Sequence, residues 1–295
     1  MEDRVNRRDF FVSATAASFA LAVPSSGLSR PQSTAPVARK GRIKQGVTTG
    51  VFARGTSLDD ACREAARLGI KGFDLIGPND WPTLRKYGLV PSMYPQGPGG
   101  TIPQALNRTE NHARLEALLR AAINEAAAAQ VPNVITFSGN RNGMDDRVGA
   151  DNCVEFLNKV KAQAEDKGVT ICMELLNSRV NHRDYMFDHV AWGVDVMKRV
   201  NSPRVRILYD IYHAQIMDGD IVRTIRDNIQ WFAHFHTGGN PGRNDIDETQ
   251  ELNYRYVMQE IARLGFTGFV SHEYSPKQGS DPLAVLKKAV EICDV

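Results

Sequence analysis

The chain has 295 residues, is 42% hydrophobic and 24% charged, and carries a formal net charge of only +2. That composition is ordinary for a soluble globular protein with ample core. With so little net charge and no basic stripe, composition gives nucleic-acid binding no electrostatic support.

The first residues differ from the rest. Asn6-Arg7-Arg8-Asp9-Phe10-Phe11 is a twin-arginine pattern, followed by 14 uncharged residues from Phe10 to Val23 with a small-residue exit at Ala20-Leu21-Ala22. Because roughly 20 residues are needed to cross a bilayer as a helix, the pattern predicts a cleaved export signal over 1–23 rather than a stable membrane anchor. The expected partner is the twin-arginine translocation machinery, which carries folded proteins, and the expected location is the periplasm. Residues 24–42, rich in Ser, Pro, Arg and Gln, read as a disordered linker.

From residue 43 to 295 short apolar runs alternate with helical patterns. Strands are predicted at 44–48, 72–76, 90–94, 133–138, 169–175, 205–210, 231–237 and 269–274. The intervening helices show the 3.6 period, as in Leu58, Ala61, Cys62, Ala65 and Leu68. Ser57 and Asp59 mark one helix start, and Gly69, Gly168, Gly265 and Gly268 mark ends. Eight strand–helix units in about 250 residues match an α/β (β/α)8 TIM barrel, with a doubly wound open sheet as the competitor. The stretch 94–109, rich in Gly and Pro, reads as a substrate cover or a surface insertion. Cys62, Cys153, Cys172 and Cys293 contain no C-x-x-C pair, and a Cys62–Cys293 disulfide between the first and last helices is the weaker reading.

Glu174, Asp210, His236 and Glu273 each close one of the last four predicted strands. Alternation puts Thr170, Cys172 and Glu174 on one face, His234 and His236 on one face, and Glu273 with Ser271. Taken alone, Glu174 reads better as the partner of a barrel Arg such as Arg206, and His234 as a hydrogen-bonded core histidine. Four ligand-type side chains at four strand ends instead predict one divalent metal site. His213, three residues after Asp210, is placed to orient a ligand or bond the substrate. Arg243, in the Gly-rich loop after His236, is placed to clamp a substrate carboxylate or hydroxyl.

These segments carry a resemblance. Met173-Glu174-Leu175-Leu176-Asn177, the run from Tyr209-Asp210 to Gly219-Asp220, the run from His234-Phe235-His236 through Arg243 to Tyr254, and His272-Glu273-Tyr274-Ser275-Pro276 resemble the hydroxypyruvate isomerase branch of the xylose isomerase-like TIM-barrel superfamily, which includes ketose 3-epimerases. The resemblance implies that Glu174, Asp210, His236 and Glu273 hold one divalent ion, that Glu174 and Glu273 are also the catalytic acid/base pair, and that His213 and Arg243 bind substrate. The isomerases can carry Gln where this chain has His236, the epimerases carry His, and those isomerases usually lack an export signal.

The expected reaction moves a proton between adjacent carbons of a small hydroxy-keto substrate, a sugar or keto acid, through an enediolate. Epimerisation at one carbon is the alternative, and a non-catalytic exported metal-dependent sugar binder is a second. The oxygen-rich donor set favours Mn2+ or Mg2+, with Co2+ or Zn2+ open. A homo-oligomer is also open. A multi-zinc endonuclease of the same superfamily is disfavoured, because the third and fourth strand ends and the loop 244–248 offer none of the extra histidines that such a cluster needs.

Overall fold

The computed structural model describes residues 37–95 and 101–295. The strands are β1 (Lys44–Val47), β2 (Gly72–Asp74), β3 (Val90–Met93), β4 (Asn133–Thr136), β5 (Thr170–Glu174), β6 (Val205–Asp210), β7 (Phe232–Thr237) and β8 (Phe269–His272). Between them run α1 (Leu58–Arg67), α2 (Trp81–Lys86), α3 (His112–Ala128), α4 (Asp146–Lys167), α5 (Val190–Val200), α6 (Ile211–Met217), α7 (Ile221–Asn228) and α8 (Tyr254–Arg263), and α9 (Pro282–Cys293) follows β8.

The strands pair in the order β3-β2-β1-β8-β7-β6-β5-β4, and every ladder is parallel. First and last strands are therefore neighbours. Between β3 and β4 a single parallel bridge, Tyr94 to Val134, completes the ring, with Tyr94 N–H donating to Asn133 O at 2.8 Å and Ile135 N–H to Tyr94 O at 3.1 Å. The result is a nearly closed (β/α)8 barrel, and the open sheet is set aside. The strands lie between barrel interior and helix ring, which explains their nearly continuous burial.

Local signals act as the sequence indicates. The Ser57 hydroxyl accepts from Asp60 N–H at the start of α1. Gly168 ends α4 at φ +70°, a backbone conformation that favours glycine. Gly46 has a different cause: a Cβ there would lie 2.2 Å from Ser271 Oγ, so closure of β1 on β8 leaves no room for a side chain.

Two alternatives fall away and one expectation needs adjustment. All four cysteines are free and buried, so Cys62 and Cys293 form no disulfide. Arg206 donates to Ser202 O and lies over the Trp231 ring, away from Glu174. Residues 37–42, assigned by composition to the linker, are tied to the barrel: Val37 N–H donates to Arg67 O at 3.0 Å, Arg39 Nε to Leu68 O at 2.9 Å and Lys40 N–H to Asp294 Oδ1 at 2.9 Å. Carbonyls left unpaired where α1 ends accept two of these bonds. The export signal, linker residues 24–36 and part of the stretch 94–109 lie outside the described residues.

On the outer ring Glu260 of α8 accepts from Arg226 of α7 at 2.7 Å and from Arg263 at 3.0 Å. The Arg226 hydrogen bond and then that of Arg263 hold its carboxyl at about 2, below the ordinary 4.5. A lowered carboxyl stabilises the fold above its unfolded value and loses that contribution as the pH falls through the folded one. Glu260→Gln is expected to lower the melting temperature at pH 7. The gap to the parent should close between pH 4.5 and about 2, and a gap unchanged over that window would count against this bridge.

Candidate active site

Strand register brings the four predicted ligands together. Glu174 pairs with Leu208, two residues before Asp210; Asp210 pairs with His236; and His236 pairs with Ser271, two residues before Glu273. Steps of two preserve the face, so all four side chains point into the barrel at its C-terminal end. Their ligand atoms lie within 4.8 Å of one another. His236 Nδ1 is 2.7 Å from Glu273 Oε2, 3.2 Å from Glu174 Oε1 and 3.8 Å from Asp210 Oδ2.

Arg243 joins them. Its Nη2 lies 2.6 Å from both Asp210 Oδ2 and Glu273 Oε2, and its guanidinium stacks 5.1 Å from the Tyr212 ring centroid. The residue holds φ +52°, uncommon for a long side chain and maintained only where the surroundings demand it.

His213 opens α6, where Asp210 Oδ1 accepts from its backbone N–H at 3.0 Å. Asn177 holds one side of the ring. Asn177 Oδ1 accepts from the N–H groups of Val180 and Asn181 at 2.9 and 3.0 Å, so its Nδ2 faces His213 Nδ1 at 2.6 Å. On the other side Arg243 Nη1, which can only donate, lies 2.6 Å from Nε2. Donors thus face both ring nitrogens, and a neutral ring accepts from one of them. Burial, with Arg243 beside it, keeps His213 well below the ordinary imidazole range and hence neutral.

Asp74, at the end of β2, escaped the sequence reading. Fully buried beneath the cluster, its Oδ2 lies 2.6 Å from His234 Nε2 and 3.1 Å from His236 Nε2, and Oδ1 accepts from the Ser92 hydroxyl. Burial alone would raise its carboxyl, but His234 and His236 outweigh that and hold it well below the usual range. It fixes His236 with Nε2–H toward Asp74 and Nδ1 toward the acidic cluster. His234 is a hydrogen-bonded core histidine. The one available signal was an acid in the otherwise uncharged run Gly72-Phe73-Asp74-Leu75-Ile76.

The carboxylates differ. Burial pushes Glu174 up to about 7, only partly opposed by His236. Burial acts on Glu273 likewise, yet His236 and Arg243 overcome it and hold that carboxyl well below the usual range. For His236 burial would favour the neutral ring, but Glu273, Asp74 and Glu174 hold it well above the ordinary value.

Three carboxylates and one imidazole nitrogen form a donor set suited to a hard or borderline divalent ion. Arg243 Nη2, between Asp210 and Glu273, already brings positive charge to this point. The residues fit a metal.

Above the cluster lies a cavity of about 330 Å3. Among the described residues, Glu174, Glu273, Arg243, His213, His182 and Asn181 line it together with the apolar Leu75, Pro95, Ile102, Ile135, Phe137 and Leu176.

The family description "Xylose isomerase-like TIM barrel" matches residues 62–293. A protein from Pectobacterium atrosepticum named 2-oxo-tetronate isomerase is 25% identical over 230 residues, covering 74% of this chain and 86% of that one. A human protein named as a candidate hydroxypyruvate isomerase is 27% identical over 164 residues, 54% of this chain and 59% of the human one. The crystal structure of a Brucella melitensis protein titled AP endonuclease, family 2, aligns with a TM-score of 0.73 at 26% identity, covering 83% of this chain and 96% of that one.

Removing Asp74 leaves two buried imidazoles without their anion. Asp74→Ala is expected to lower unfolding free energy by about 3–5 kcal/mol, read from urea unfolding. A change within about 0.5 kcal/mol, the range of ordinary surface substitutions, would show that Asp74 is not the anchor described.

Proposed function

Because this chain belongs to the xylose isomerase-like TIM barrel family, we propose that it is a metal-dependent isomerase of small α-hydroxy-carbonyl compounds, sugars or keto acids, related to the 2-oxo-tetronate and hydroxypyruvate isomerases it resembles. One observation carries the reading: two glutamates from strands on opposite flanks of His236, Glu174 at 3.2 Å and Glu273 at 2.7 Å, meet at the floor of a single cavity.

Glu174, Asp210, His236 and Glu273 would hold one divalent ion, Mn2+ or Mg2+ by its oxygen-rich donors, with Co2+ and Zn2+ as alternatives. Bound there, the ion supplies Lewis-acid stabilisation of the negative charge that develops on the substrate's oxygens. One of the two glutamates takes the proton from the carbon beside the carbonyl, leaving the enediolate. The other returns a proton to the adjacent carbon, which isomerises the substrate, or to the opposite face of the same carbon, which epimerises it. His213 presents Nε2 to a substrate oxygen, its ring held by Asn177 at Nδ1. Arg243 offers its guanidinium to a second oxygen.

Epimerisation is the second reading, favoured by an imidazole, His236, as the nitrogen donor. The nuclease named in the Brucella title is disfavoured here. Among the described residues the other ligand-type group, Asp74, His234 and His236, is fully buried and bonded within itself. Export to the periplasm by the twin-arginine route completes the proposal, supported by Asn6-Arg7-Arg8-Asp9-Phe10-Phe11.

Incubation in deuterated water with α-hydroxyketones and ketoses is expected to place solvent deuterium in substrate and product. Chelation should stop exchange and Mn2+ restore it. Glu174→Gln should lower exchange by about 10^2- to 10^4-fold with the urea midpoint unchanged, and full turnover in that variant would defeat the assignment. Asp74→Asn should weaken Mn2+ binding by about 10- to 100-fold, measured by calorimetry.

A further inference from the structure

The end of the barrel remote from the carboxylates holds a second cavity, of about 500 Å3, at the N-terminal mouth. Its lining comes from the beginnings of strands: Lys44 opens β1, Thr170 opens β5, Arg204 stands just before β6, Phe232 opens β7 and Phe269 opens β8, with Phe266 on the turn that leaves α8. Among the described lining residues Lys44 and Arg204 carry the charge, and no Asp or Glu stands beside them. One barrel thus gathers carboxylates at one end and cations at the other.

Neither cation meets an acid among the described residues. Arg204 Nη1 lies 3.3 Å from the Thr170 hydroxyl, and Lys44 Nζ stands 6.0 Å from the Phe269 ring centroid. The acid that reaches this segment, Glu165, accepts from the Ser202 hydroxyl at 2.6 Å. The undescribed residues contain three acids, Glu2, Asp3 and Asp9, all within the predicted export signal, so a chain cleaved after Val23 has none of them to bring.

Helix ends are the other ordinary partners of basic side chains, and Ile229 and Leu264, where α7 and α8 finish, reach this rim. Arg206 illustrates such pairing after α5: its guanidinium donates to Ser202 O and Val205 O and lies 5.5 Å from the Trp231 ring centroid. Lys44 and Arg204 make no bond of that kind among the described residues. Burial, with the charge of Arg204 adding to it, holds Arg206 below the ordinary guanidinium value. Like charges gathered round a concave site focus their field on what enters it.

We propose that this mouth is a second binding site, for a small organic anion whose phosphate or carboxylate group is taken by Arg204 and whose apolar body lies over Phe232, Phe266 and Phe269. Arg204 presents the planar fork that pairs with either group, and Thr170 adds a hydroxyl beside it. Lys44, on a strand three places from β6 round the barrel, adds a second positive charge. The three rings supply apolar area of the kind that lines most small-molecule pockets. The site stands apart from Glu174, Asp210, His236 and Glu273, and it does not depend on the reaction proposed above.

Calorimetry on the metal-free full chain with phenyl phosphate, benzoate, inorganic phosphate and neutral benzyl alcohol tests this. One phenyl phosphate or one benzoate is expected to bind per chain, the tighter of the two identifying the anionic group, and inorganic phosphate should bind about tenfold more weakly than phenyl phosphate for want of the apolar body. Arg204→Ala should weaken the aromatic anion about 10- to 100-fold and Lys44→Ala about two- to fivefold, with the urea midpoint unchanged. Lys44→Glu, at an exposed position, gives the same reading should Arg204→Ala fail to fold. No saturable binding of either aromatic anion, binding that survives Arg204→Ala, or equally tight binding of benzyl alcohol or of inorganic phosphate overturns the proposal.

Discussion

Carboxylates gathered at the buried end of a barrel are stable only if positive charge stands among them. Glu174, Asp210 and Glu273 lie close enough for their ligand atoms to share one point, in surroundings where like charges repel far more strongly than in water. His236 and Arg243 meet that demand, and Asp74 behind His236 extends the alternation of sign one layer deeper. The same Arg243 has a left-handed backbone conformation and brings its guanidinium against Nε2 of His213. A divalent ion would answer the same electrostatic demand, so the features that make these side chains difficult to bury are also those that a ligand set requires.

The parts of this arrangement that follow a simple repeat were legible in the sequence. Alternation along β5, β7 and β8 identified the inward side chains Glu174, His236 and Glu273, and the position of Asp210 at its strand end identified the fourth. The barrel itself was readable from the regular succession of apolar runs and helical patterns. Asp74 and Leu75 were not legible, because both depend on a break in the repeat. A register slip and a left-handed residue at the end of β2 bring two consecutive side chains inward, and no strand period describes that.

Asn177 shows a second kind of limit. Its effect on His213 is visible only when the backbone donors of Val180 and Asn181 are known to occupy its oxygen. Orientation of an amide is a property of a network, and it has no signature in residue spacing. The tie between residues 37–42 and the end of α1 is similar: polar composition suggested a solvated tether, while unpaired helix carbonyls supplied partners for it.

The chain order of the cavity's two sides has an evolutionary consequence. Five of the six apolar cavity residues fall between Leu75 and Phe137, whereas the clustered carboxylates and His236 fall between Glu174 and Glu273, with α4 between the two stretches. A single genetic crossover within the α4 coding region would therefore exchange most of the apolar lining and leave the four clustered side chains on one piece, with Asp74 the contact to His236 that has to be kept on the other. In such a barrel, recombination can vary the cavity's apolar lining apart from the cluster.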